Sequence, residues 1–573
     1  MPEQQVSSND QNAALGHISK LFIKNFKSFS DQGFWLELKP GLNIIVGDNE
    51  TGKSSILEAI NLVLSGLFQG RHISYELNQE IFNKTTVNNY IGSLNDPEQD
   101  NQDAPSILIE LYFDGIEDDA TKALLEGDGN ESRSKACGVK LKIGLGAGFS
   151  ELYDEYIKNG VTSLPIEYYE CSWSSFARDE NLRPSNIPIN SALIDTTASK
   201  YQNGSDIYVS RIVKNFIEKE HEVAAAQAHR LLKDKFNDDQ SVTAINSLLD
   251  EYINISDKKV TLSIDMSSKA SWDGAMVTYV DGIPFHLIGK GEQTKIKTKL
   301  SLNSKKIAKT NILLIEEPES HLSHHNLNNL ITYIEDTHSS KQIIISTHSS
   351  FVANKLGLEK LVFISPGHKS LRLDDIDKDA QLFFRKLPGF DTLRLILAKH
   401  AILVEGPSDE LIVQRAYMDS HEGTLPLDNG IEVISVGTSF LQFLKIADKL
   451  EIPTSVITDN DGDVSALEGK YEDYIGDNAK QHIKISYDGE INTGQLEKFN
   501  YNTLEPLLLK ANSLTSLNGI LGKSYATEDK LLVHMHSKKT DCALKIFTSN
   551  TTIEYPDYIK KVVVDDEQES TPS

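Results

Sequence analysis

The chain has 573 residues, of which 39% are hydrophobic and 24% charged, and this predicts a globular protein with two or more domains. There is no run of 18 or more apolar residues, no basic-then-apolar leader is expected, and the three cysteines, Cys137, Cys171 and Cys542, lie far apart. These features exclude a membrane span, a disulfide framework and a cysteine zinc cage, and they predict a cytoplasmic protein. The net charge of −26 predicts overall repulsion from nucleic acid, so any DNA contact needs a local basic patch or carboxylates neutralised by metal.

A phosphate-binding loop is predicted near the N-terminus. After a lead-in over residues 1–16 that we expect to be disordered, alternating apolar residues predict two strands within 17–39, and an apolar run predicts a buried strand over 42–46. A glycine-rich turn and then a helical pattern follow this strand, which is the context that the motif requires. The N–H groups of such a turn surround phosphate oxygens, while Lys53 reaches the β- and γ-phosphates and Ser54 offers its hydroxyl to Mg²⁺. The predicted nucleotide-binding residues are Gly47, Asn49, Gly52, Lys53, Ser54 and Ser55.

The region that follows the phosphate-binding loop predicts both strands and helices. Gln79, in a loop-rich stretch, is a weak candidate for a metal-sensing glutamine. From about 191 to 255 the apolar spacing is helical, which predicts a helical insertion into the nucleotide-binding domain. The insertion is either a dimerisation arm or an internal packing layer, and periodicity does not separate the two. The strands predicted in this region cover residues 105–113, 139–143, 260–264 and 275–279.

Three motifs in the middle of the chain carry further chemistry. A glycine-rich turn over 287–293 opens a lysine-rich helix. One apolar run ends in the carboxylates Glu316 and Glu317, and a second apolar run ends in His348. Parallel α/β sheets place their ligand sites at the carboxyl ends of the strands, so we expect these side chains at the nucleotide site.

These motifs, together with the opening segment 23–29, resemble those of SMC- and RecF-like ABC ATPases. The resemblance implies that Gly291 lies in a degenerate signature motif, which binds the γ-phosphate of the nucleotide held by a partner subunit. It also implies that Glu316 holds Mg²⁺ through water or Ser54, that Glu317 polarises the attacking water, and that His348 senses the γ-phosphate. The ligand would be ATP with one Mg²⁺, and the protein a homodimer or higher homo-oligomer formed through its ATPase half.

A lysine-rich stretch follows the signature-like turn. Its seven lysines form either a solvated helix face, which is the ordinary interpretation of such a run, or a local surface for DNA phosphates whose affinity falls as salt rises. They are Lys290, Lys295, Lys297, Lys299, Lys305, Lys306 and Lys309.

The last third of the chain predicts a second α/β domain, which begins at about residue 398 after a linker over 371–397. One of its strands ends at Glu405, and another ends at Asp459, two residues before Asp461. Parallel neighbouring strands would bring these carboxylates to one sheet edge, where they would repel each other without a cation. Oxygen ligands suit Mg²⁺ or Mn²⁺ rather than zinc, so the pattern predicts a site for a hard cation.

The order Glu-Gly, then Asp-x-Asp, resembles a Toprim domain. With the ATPase motifs before it, the chain is similar to the OLD (overcoming lysogenisation defect) family of ATP-dependent nucleases, which includes the nuclease subunit of Gabija-type anti-phage systems. The resemblance implies two Mg²⁺ or Mn²⁺ ions in the Toprim domain and makes Glu317, Glu405 and Lys539 catalytic. Glu410 competes with Asp409 for the ligand role, and Lys538 competes with Lys539. The implied Toprim metal ligands are Glu405, Asp409, Asp459, Asp461 and Glu505.

We therefore expect an α/β protein with an ABC-type ATPase domain over 17–370, a Toprim nuclease domain over 398–563 and an acidic tail over 564–573. The expected function is a divalent-metal-dependent DNA endonuclease regulated by ATP. An anti-phage role, with a helicase or reverse transcriptase as partner, is implied by the resemblance alone. The alternative is an SMC- or RecF-like DNA-binding repair ATPase whose Toprim half is only structural.

Overall fold

The computed structural model describes residues 15–48, 51–95, 103–158, 160–180, 182–195, 201–202, 205–206, 219–252, 278–348, 360–365, 368–372, 378–386 and 392–564. The chain divides into two compact units, one made of Met1–His348 and Ile364–Ser370, the other of Ser349–Phe363 and Leu371–Ser573. None of the helices within the described ranges is long and apolar enough to cross a bilayer.

The first unit contains sixteen of the following described strands, and the last two lie at the division between the units. They are β1 (Leu15–Lys24), β2 (Phe34–Glu37), β3 (Leu42–Gly47), β4 (Leu67–Phe68), β5 (Arg71–His72), β6 (Ile107–Ile116), β7 (Glu126–Gly127), β8 (Ala136–Leu145), β9 (Tyr169–Ser175), β10 (Ser191–Asp195), β11 (Tyr201–Gln202), β12 (Ser205–Asp206), β13 (Tyr279–Val280), β14 (Ile283–Pro284), β15 (Ile312–Glu316), β16 (Gln342–Thr347), β17 (Leu361–Ile364) and β18 (Ser370–Arg372).

The helices of the first unit connect these strands and cover them. They are α1 (Lys53–Ser65), α2 (Ile73–Glu76), α3 (Lys84–Asn95), α4 (Asp119–Leu125), α5 (Ser150–Ile157), α6 (Lys219–Asn237), α7 (Gln240–Tyr252), α8 (Lys290–Leu302), α9 (Lys305–Ala308) and α10 (His324–His338).

Two large sheets organise the first unit. An antiparallel sheet has the order β2-β1-β6-β8-β7, with β9 also paired to β8, and a second sheet has the order β10-β15-β16-β3-β17-β18. Within the second sheet β10, β15, β16 and β3 are parallel neighbours. Strands of a parallel sheet are buried on both faces, which is why β3, β15 and β16 have continuous apolar sequences that could be predicted. Their carboxyl ends lie at the same edge of the sheet.

The N-terminal lead-in is shorter than predicted. Leu15 and Gly16 belong to β1, where Leu15 pairs with Ile116 of β6, because the antiparallel ladder extends beyond the alternating apolar residues that mark the strand in the sequence. At the other end, Val564 closes the last helix instead of opening the acidic tail. Asn49, residues 1–14 and residues 565–573 lie outside the described residues.

The helical insertion was predicted to begin at about residue 191, but the first residues of that range form a strand. Residues 191–195 form β10, which runs parallel to β15 at one end of the described sheet order, and Ala192 and Ile194 are buried there. A short apolar run fits a buried strand or a helix segment equally well, and here sheet pairing decides the outcome. Helices α6 and α7 lie within the range predicted to be helical, whereas the apolar spacing over 207–217 and the strand over 260–264 lie outside the described residues.

The second unit is built on a four-stranded parallel sheet. Its order is β20-β19-β21-β22, with β19 (His400–Val404), β20 (Ile431–Ser435), β21 (Thr454–Ile457) and β22 (Ile483–Ser486). Its helices are α11 (Lys378–Lys386), α12 (Thr392–Leu397), α13 (Pro407–Ser420), α14 (Phe440–Leu450), α15 (Val464–Lys470), α16 (Leu504–Ala511), α17 (Leu514–Leu521), α18 (Glu528–Ser537), α19 (Lys539–Thr548) and α20 (Asp557–Val564). The helices from α16 onward share one apolar core with β19, β20 and α13.

The segment predicted as a linker contains part of this second fold. Leu395 and Ile396 of α12 are buried, and Arg394 donates to the Glu432 carboxylate of β20 from Nε at 2.9 Å and from Nη2 at 2.7 Å. The apolar residues of 392–397 therefore belong to the packing of the second unit, although the charged and proline-containing residues before them are typical of a connection.

Candidate nucleotide site and candidate metal centre

The phosphate-binding loop lies between β3 and α1, as its sequence predicts. Gly52 precedes α1 with a φ of 92°, and a Cβ atom at this position would come within 2.7 Å of both the Phe29 ring and the Ser28 hydroxyl. Only glycine fits a left-handed backbone in so little space. Lys53, the first residue of the helix, donates from Nζ to the carbonyl oxygens of Gly47 at 3.0 Å and Asp48 at 2.6 Å. Its ammonium group is therefore enclosed by the loop that would surround a phosphate.

Lys53 has an unusual electrostatic environment. Its side chain is buried, and this burial lowers its pKa to about 8, although the charges of Glu317, Asp48 and Glu319 oppose the change. Of the neighbouring serines, Ser54 is exposed and Ser55 is buried, so Ser54 is the hydroxyl that a ligand in solution can reach.

ATP binding is expected to weaken above about pH 8. A bound triphosphate favours protonated Lys53, so the protein must take up a proton on binding once the free lysine has lost it. Between about pH 8 and 10 the affinity should fall by up to about tenfold per pH unit. Titration of a fluorescent ATP analogue over this range measures the effect. Lys53→Arg is the control, because a guanidinium remains charged over this range and the ATP affinity of the variant should not change with pH. A wild-type affinity that did not change with pH would contradict the prediction.

The two adjacent carboxylates lie where β15 ends. Glu316 is the last residue of the strand and pairs with Ser346, and Glu317 follows it with a φ of 39° while its N–H donates to the Ser346 carbonyl at 3.0 Å. The Glu317 carboxylate accepts from the Ser320 hydroxyl at 3.2 Å and lies 3.6 Å from His348 Nε2. The structure thus brings Glu317 and His348 together in space, although 31 positions separate them in the sequence.

His348 shares the electrostatic environment of the loop lysine. Burial and then the charge of Lys53 lower the pKa of His348, and the charge of Glu317 opposes them. A neutral imidazole is therefore favoured at pH 7, and it can donate one hydrogen bond to a phosphate oxygen without carrying a charge. Lys53, Glu317 and His348 are therefore close enough to influence one another's charge, and their role at a nucleotide site stays a prediction.

Gly291, which the resemblance assigns to a signature motif, lies against another part of its own chain. A Cβ atom added at this position, in the first turn of α8, would lie 2.5 Å from the carbonyl oxygen of His321. The signature-like turn therefore packs closely against the loop over 320–323. Its contact with the nucleotide of a partner subunit stays a prediction. Gln79, the weak candidate, accepts from the Leu164 N–H at 2.6 Å, which is a structural contact.

Glu319 is a residue of this site that sequence reasoning missed. Its Oε1 accepts from the Thr347 hydroxyl at 2.7 Å and from the His348 N–H at 2.9 Å, while its buried Oε2 has no hydrogen-bond partner among the residues that the structure describes. Glu319 therefore holds the backbone of the histidine beside the nucleotide site. A third carboxylate within four residues was the available signal, but its partner lies 29 positions away.

The second group of candidate residues lies at the carboxyl edge of the sheet in the second unit. Glu405 follows β19, and Asp459 follows β21, the parallel neighbour of β19. Asp409 lies in the first turn of α13, and its Oδ2 accepts from the Gly406 N–H at 3.0 Å. Parallel strands place their carboxyl ends together, which is why residues far apart in the sequence meet here.

Asp459 is the carboxylate of this group whose pKa is raised most strongly. Its Oδ2 accepts from the Leu504 N–H at 3.3 Å, and the hydroxyl of fully buried Tyr558 donates to its Oδ1 at 3.5 Å. Burial raises the pKa of Asp459 well above its ordinary value, and the carboxylates around it raise it further. In decreasing order of effect these neighbours are Asp409, Glu405, Glu505 and Asp461.

Asp409 and Glu505 belong to the same cluster. Burial raises the pKa of Asp409 to about 6, with further contributions from Glu505 and Glu405. Glu505 is buried at the start of α16, and its Oε2 lies 3.3 Å from Lys539 Nζ. Burial alone would lower the pKa of Lys539, but the charge of Glu505 and its hydrogen bond more than offset this, so the pKa of Lys539 is raised.

The structure distinguishes the residues that competed for these roles. Glu410 accepts from the Gln414 amide at 3.4 Å, and after burial the charges that influence its pKa are those of Arg394 and Glu432. The charge of Lys538 acts on His534, whereas Lys539 pairs with the cluster. Asp461 lies at the margin, where it is exposed and accepts from the Asn500 amide at 2.8 Å.

The cluster has the chemistry of a hard-cation site, although its oxygens do not converge on one point. In the part of the chain that the structure describes, no group of three or more histidine, cysteine, aspartate or glutamate side chains is close enough to hold a metal ion. The donors are nevertheless all carboxylates, and the pKa values of Asp409 and Asp459 are raised because burial and like charges disfavour ionisation. A divalent cation is the partner that would relieve this, and Glu405, Asp409, Asp459 and Glu505 are the residues that fit it.

Tyr558 was missed by sequence reasoning at this site. It belongs to α20, 99 positions after Asp459, and no motif marks it. Its backbone carbonyl also accepts from the Ser486 hydroxyl of β22 at 2.6 Å, so the last helix is fixed against the sheet beside the carboxylates. Only the fold brings this hydroxyl to the cluster.

Family models match both units of the chain. A model described as "AAA ATPase domain" matches residues 17–299, and one described as "AAA domain, putative AbiEii toxin, Type IV TA system" matches 281–354. A third, described as "Overcoming lysogenization defect protein-like, TOPRIM domain", matches 396–461, the range that holds Glu405, Asp409 and Asp459. The two kinds of domain imply the use of a nucleotide and of a divalent metal.

Individual proteins show more limited similarity. Structural maintenance of chromosomes protein 3 from Dictyostelium discoideum is 43% identical over 56 residues, which are 10% of this chain and 4% of that protein. The Smc head bound to the C-winged helix domain of ScpA is 16% identical with a TM-score of 0.30, covering 62% of this chain and 98% of that one. RecF-ATP of the RecFOR pathway is 12% identical with a TM-score of 0.30, covering 62% and 99%.

Proposed function

We propose that this chain, in which an ATPase domain followed by an OLD-like TOPRIM domain gives the architecture of OLD-family nucleases, is a divalent-metal-dependent DNA endonuclease regulated by ATP. The observation that carries the proposal is the cluster at the edge of the second sheet. Asp409, Asp459 and Glu505 are coupled there to one another and to Lys539, and this combination of acidic ligands with one cation suits phosphodiester hydrolysis.

The proposed roles follow from the surroundings of each side chain. Glu405, Asp409, Asp459 and Glu505 would bind two ions, Mg²⁺ or Mn²⁺, with Asp461 as an outer ligand. When bound, ions of this kind lower the pKa of a coordinated water and stabilise charge on the leaving oxygen. Lys539, which lies 3.3 Å from Glu505, would donate to a non-bridging phosphate oxygen of the substrate. Leu504 and Tyr558 would keep Asp459 in one orientation through their hydrogen bonds.

The ATPase unit would regulate this chemistry. Lys53 would exchange the carbonyls of Gly47 and Asp48 for phosphate oxygens, Ser54 and Glu316 would bind one Mg²⁺, and Glu317 would orient water toward the γ-phosphate. His348 would respond to the same phosphate. Gly291 would act on the nucleotide of a second subunit, so we propose a homodimer or higher homo-oligomer formed through the ATPase unit. Residues 219–252 remain open as a dimerisation arm or a packing layer.

Cleavage of supercoiled plasmid tests the nuclease. Wild-type protein with Mg²⁺ or Mn²⁺ should produce nicked or linear DNA, and Glu405→Ala should not, because the proposal makes Glu405, which follows β19, a ligand of both ions. Glu405 is exposed, so its substitution is not expected to disturb folding. Equal cleavage by both proteins would refute the assignment.

The second candidate function is a DNA-binding repair ATPase without nuclease activity. The observation that favours it is that the described carboxylates do not already converge into a metal-binding group. It predicts ATP hydrolysis and salt-sensitive DNA binding with no strand scission at any metal concentration. An anti-phage role, with a helicase or reverse transcriptase as partner, is a further part of the proposal, and phage plating on cells with and without Glu405→Ala would test it.

A further inference from the structure

The charge of the chain is unevenly distributed. The whole sequence has a net charge of −26, yet residues 510–548 contain six lysines and three carboxylates, a local net charge of +3. Lys510 and Lys539 of this stretch pair with Glu490 and Glu505 outside it, and the Lys539 pair, at 3.3 Å, joins the stretch to the candidate metal centre. A positive region in an acidic protein is the local feature that binding of a polyanion requires.

Three exposed lysines gather on this stretch. Lys545 of α19 donates from Nζ to the Leu521 carbonyl at 2.8 Å, which ties α19 to the end of α17, two residues before Lys523. The Lys538 N–H donates to the His534 carbonyl at 3.1 Å, which places Lys538 at the end of α18. Together, these lysines and the histidine between them form a C-terminal basic surface, made of Lys523, His534, Lys538 and Lys545.

His534 lies among these lysines in the sequence and in the fold. Burial lowers the pKa of His534, and the charges of Lys523, Lys545 and Lys538 lower it further, while Asp541 opposes them. His534 also packs on Tyr525, with ring centroids 5.4 Å apart. The charges of three lysines from different segments therefore act on one imidazole.

The C-terminal basic surface leads directly to the candidate centre. Lys539 follows Lys538 in the chain and lies 3.3 Å from Glu505. A phosphate backbone bound at Lys538 would therefore lie one residue along the chain from the lysine that pairs with the carboxylates. An extended arrangement of this kind suits a polymer of phosphates, since single exposed lysines do not enclose a small anion.

The lysine-rich helix α8 is a poorer surface for the same purpose. Lys297 is buried there, with Nζ 5.9 Å from the centre of the Phe285 ring. Lys295 lies 3.4 Å from Glu292 on the same helix. Part of the positive charge that is conspicuous in the sequence is therefore internal or already paired.

We infer that the C-terminal basic surface holds the phosphate backbone of duplex DNA beside the candidate metal centre. The inference rests on the proposed function for its substrate, but it makes a separate claim about binding. Lys523 and Lys538 are the residues that test it, because Lys545 also holds the Leu521 carbonyl and its loss would disturb packing.

The test is DNA binding as a function of salt, with Glu405→Ala as the parent so that no cleavage occurs. Fluorescence anisotropy of a labelled duplex across a KCl series gives the slope of log K against log salt. Lys523→Ala with Lys538→Ala should reduce the slope by about 1.8, because each phosphate that a lysine neutralises contributes about 0.9. Lys523→Arg with Lys538→Arg should restore it, and thermal unfolding should show that all variants are folded.

Two matched pairs serve as controls. Lys480→Ala with Lys484→Ala removes the same charge elsewhere in the second unit, and Lys295→Ala with Lys299→Ala does so on α8; neither should change the slope by more than a few tenths. An unchanged slope for the 523/538 pair, or an equal reduction in either control pair, would overturn the inference. If the slope falls as expected while wild-type protein never cuts DNA, the inference about the C-terminal basic surface holds and the nuclease proposal fails. If wild-type protein cuts DNA while the slope of the 523/538 pair is unchanged, the nuclease proposal holds and the inference about the surface fails.

Discussion

Asp409→Asn is expected to abolish metal-dependent DNA cleavage and, in metal-free protein, to increase stability at pH 8. The amide removes a charge that the fold disfavours, because Asp409 is buried beside Glu505 and Glu405 and its pKa is raised to about 6. An asparagine oxygen can still accept from the Gly406 N–H, so the start of α13 is retained. The same substitution removes a carboxylate that a divalent ion needs, and cleavage should fall by more than about 100-fold, since even loss of a residue that only supports a metal ligand costs about 10- to 100-fold.

The size and pH dependence of the stability gain follow from the pKa. The rise from the ordinary 3.8 to about 6 corresponds to roughly 3 kcal/mol, at about 1.36 kcal/mol per unit. The folded protein holds the Asp409 proton more tightly than the unfolded chain does. The contribution of this group to the free energy of unfolding is therefore fully present below pH 3.8 and is lost as the pH rises through about 6. Asp409→Asn removes that loss, so the two proteins should differ most above pH 6 and converge near pH 4. Urea unfolding in EDTA from pH 4 to 8 measures the difference.

Glu410→Gln is the matched control for Asp409→Asn. It makes the same chemical change at the next residue, but the charges that influence Glu410 are those of Arg394 and Glu432, so cleavage should stay near the wild-type level. Added Mn²⁺ should stabilise wild type and Glu410→Gln and have little effect on Asp409→Asn. If Asp409→Asn cleaved DNA normally, or lost stability in EDTA at pH 8, Asp409 would not be a ligand in a strained acidic cluster.

The strands that carry the candidate residues could be predicted because of where they lie. β3, β15, β16, β19 and β21 are interior strands of their sheets, so each has an apolar run that ends abruptly at glycine, an acidic residue or, after β16, a histidine. Knowing that ligand sites occur at the carboxyl ends of such strands was enough to expect that Glu405 and Asp459 would meet. The register of β19 against β21 confirms this expectation about the sheet.

The predictions failed where tertiary contacts decide between local alternatives. Residues 191–195 pair with β15, and 392–397 pack into the second unit, but neither short segment has a period that separates strand, helix and connection. Glu319 and Tyr558 were missed for a related reason, because each acts through a hydrogen bond to a partner far along the chain. Lys297 was expected to be exposed, because it lies within a charged run. The fold buries it instead.

Glu317→Gln is expected to reduce the kcat of ATP hydrolysis by about 100- to 10,000-fold, the range that a general base contributes. The amide keeps the size of the side chain and an oxygen for the Ser320 hydroxyl, but it cannot polarise water as a carboxylate does. ATP affinity should be unchanged or higher, because the substitution removes a negative charge near the site of a polyanion. Release of phosphate and binding of a fluorescent ATP analogue, both at pH 7.5, measure the two effects separately.

Glu319→Gln is the comparison that gives this result its meaning, because it makes the same change two residues away. Glu319 touches the His348 backbone and the Thr347 hydroxyl, and a glutamine oxygen can still accept from both, so kcat should fall by less than about tenfold. Glu319→Ala, which frees the His348 backbone, should cost more than Glu319→Gln, whereas a residue that acted as the base would lose its activity with either substitution. Should Glu317→Gln hydrolyse ATP at the wild-type rate while Glu319→Gln does not, the base would be Glu319 instead of Glu317.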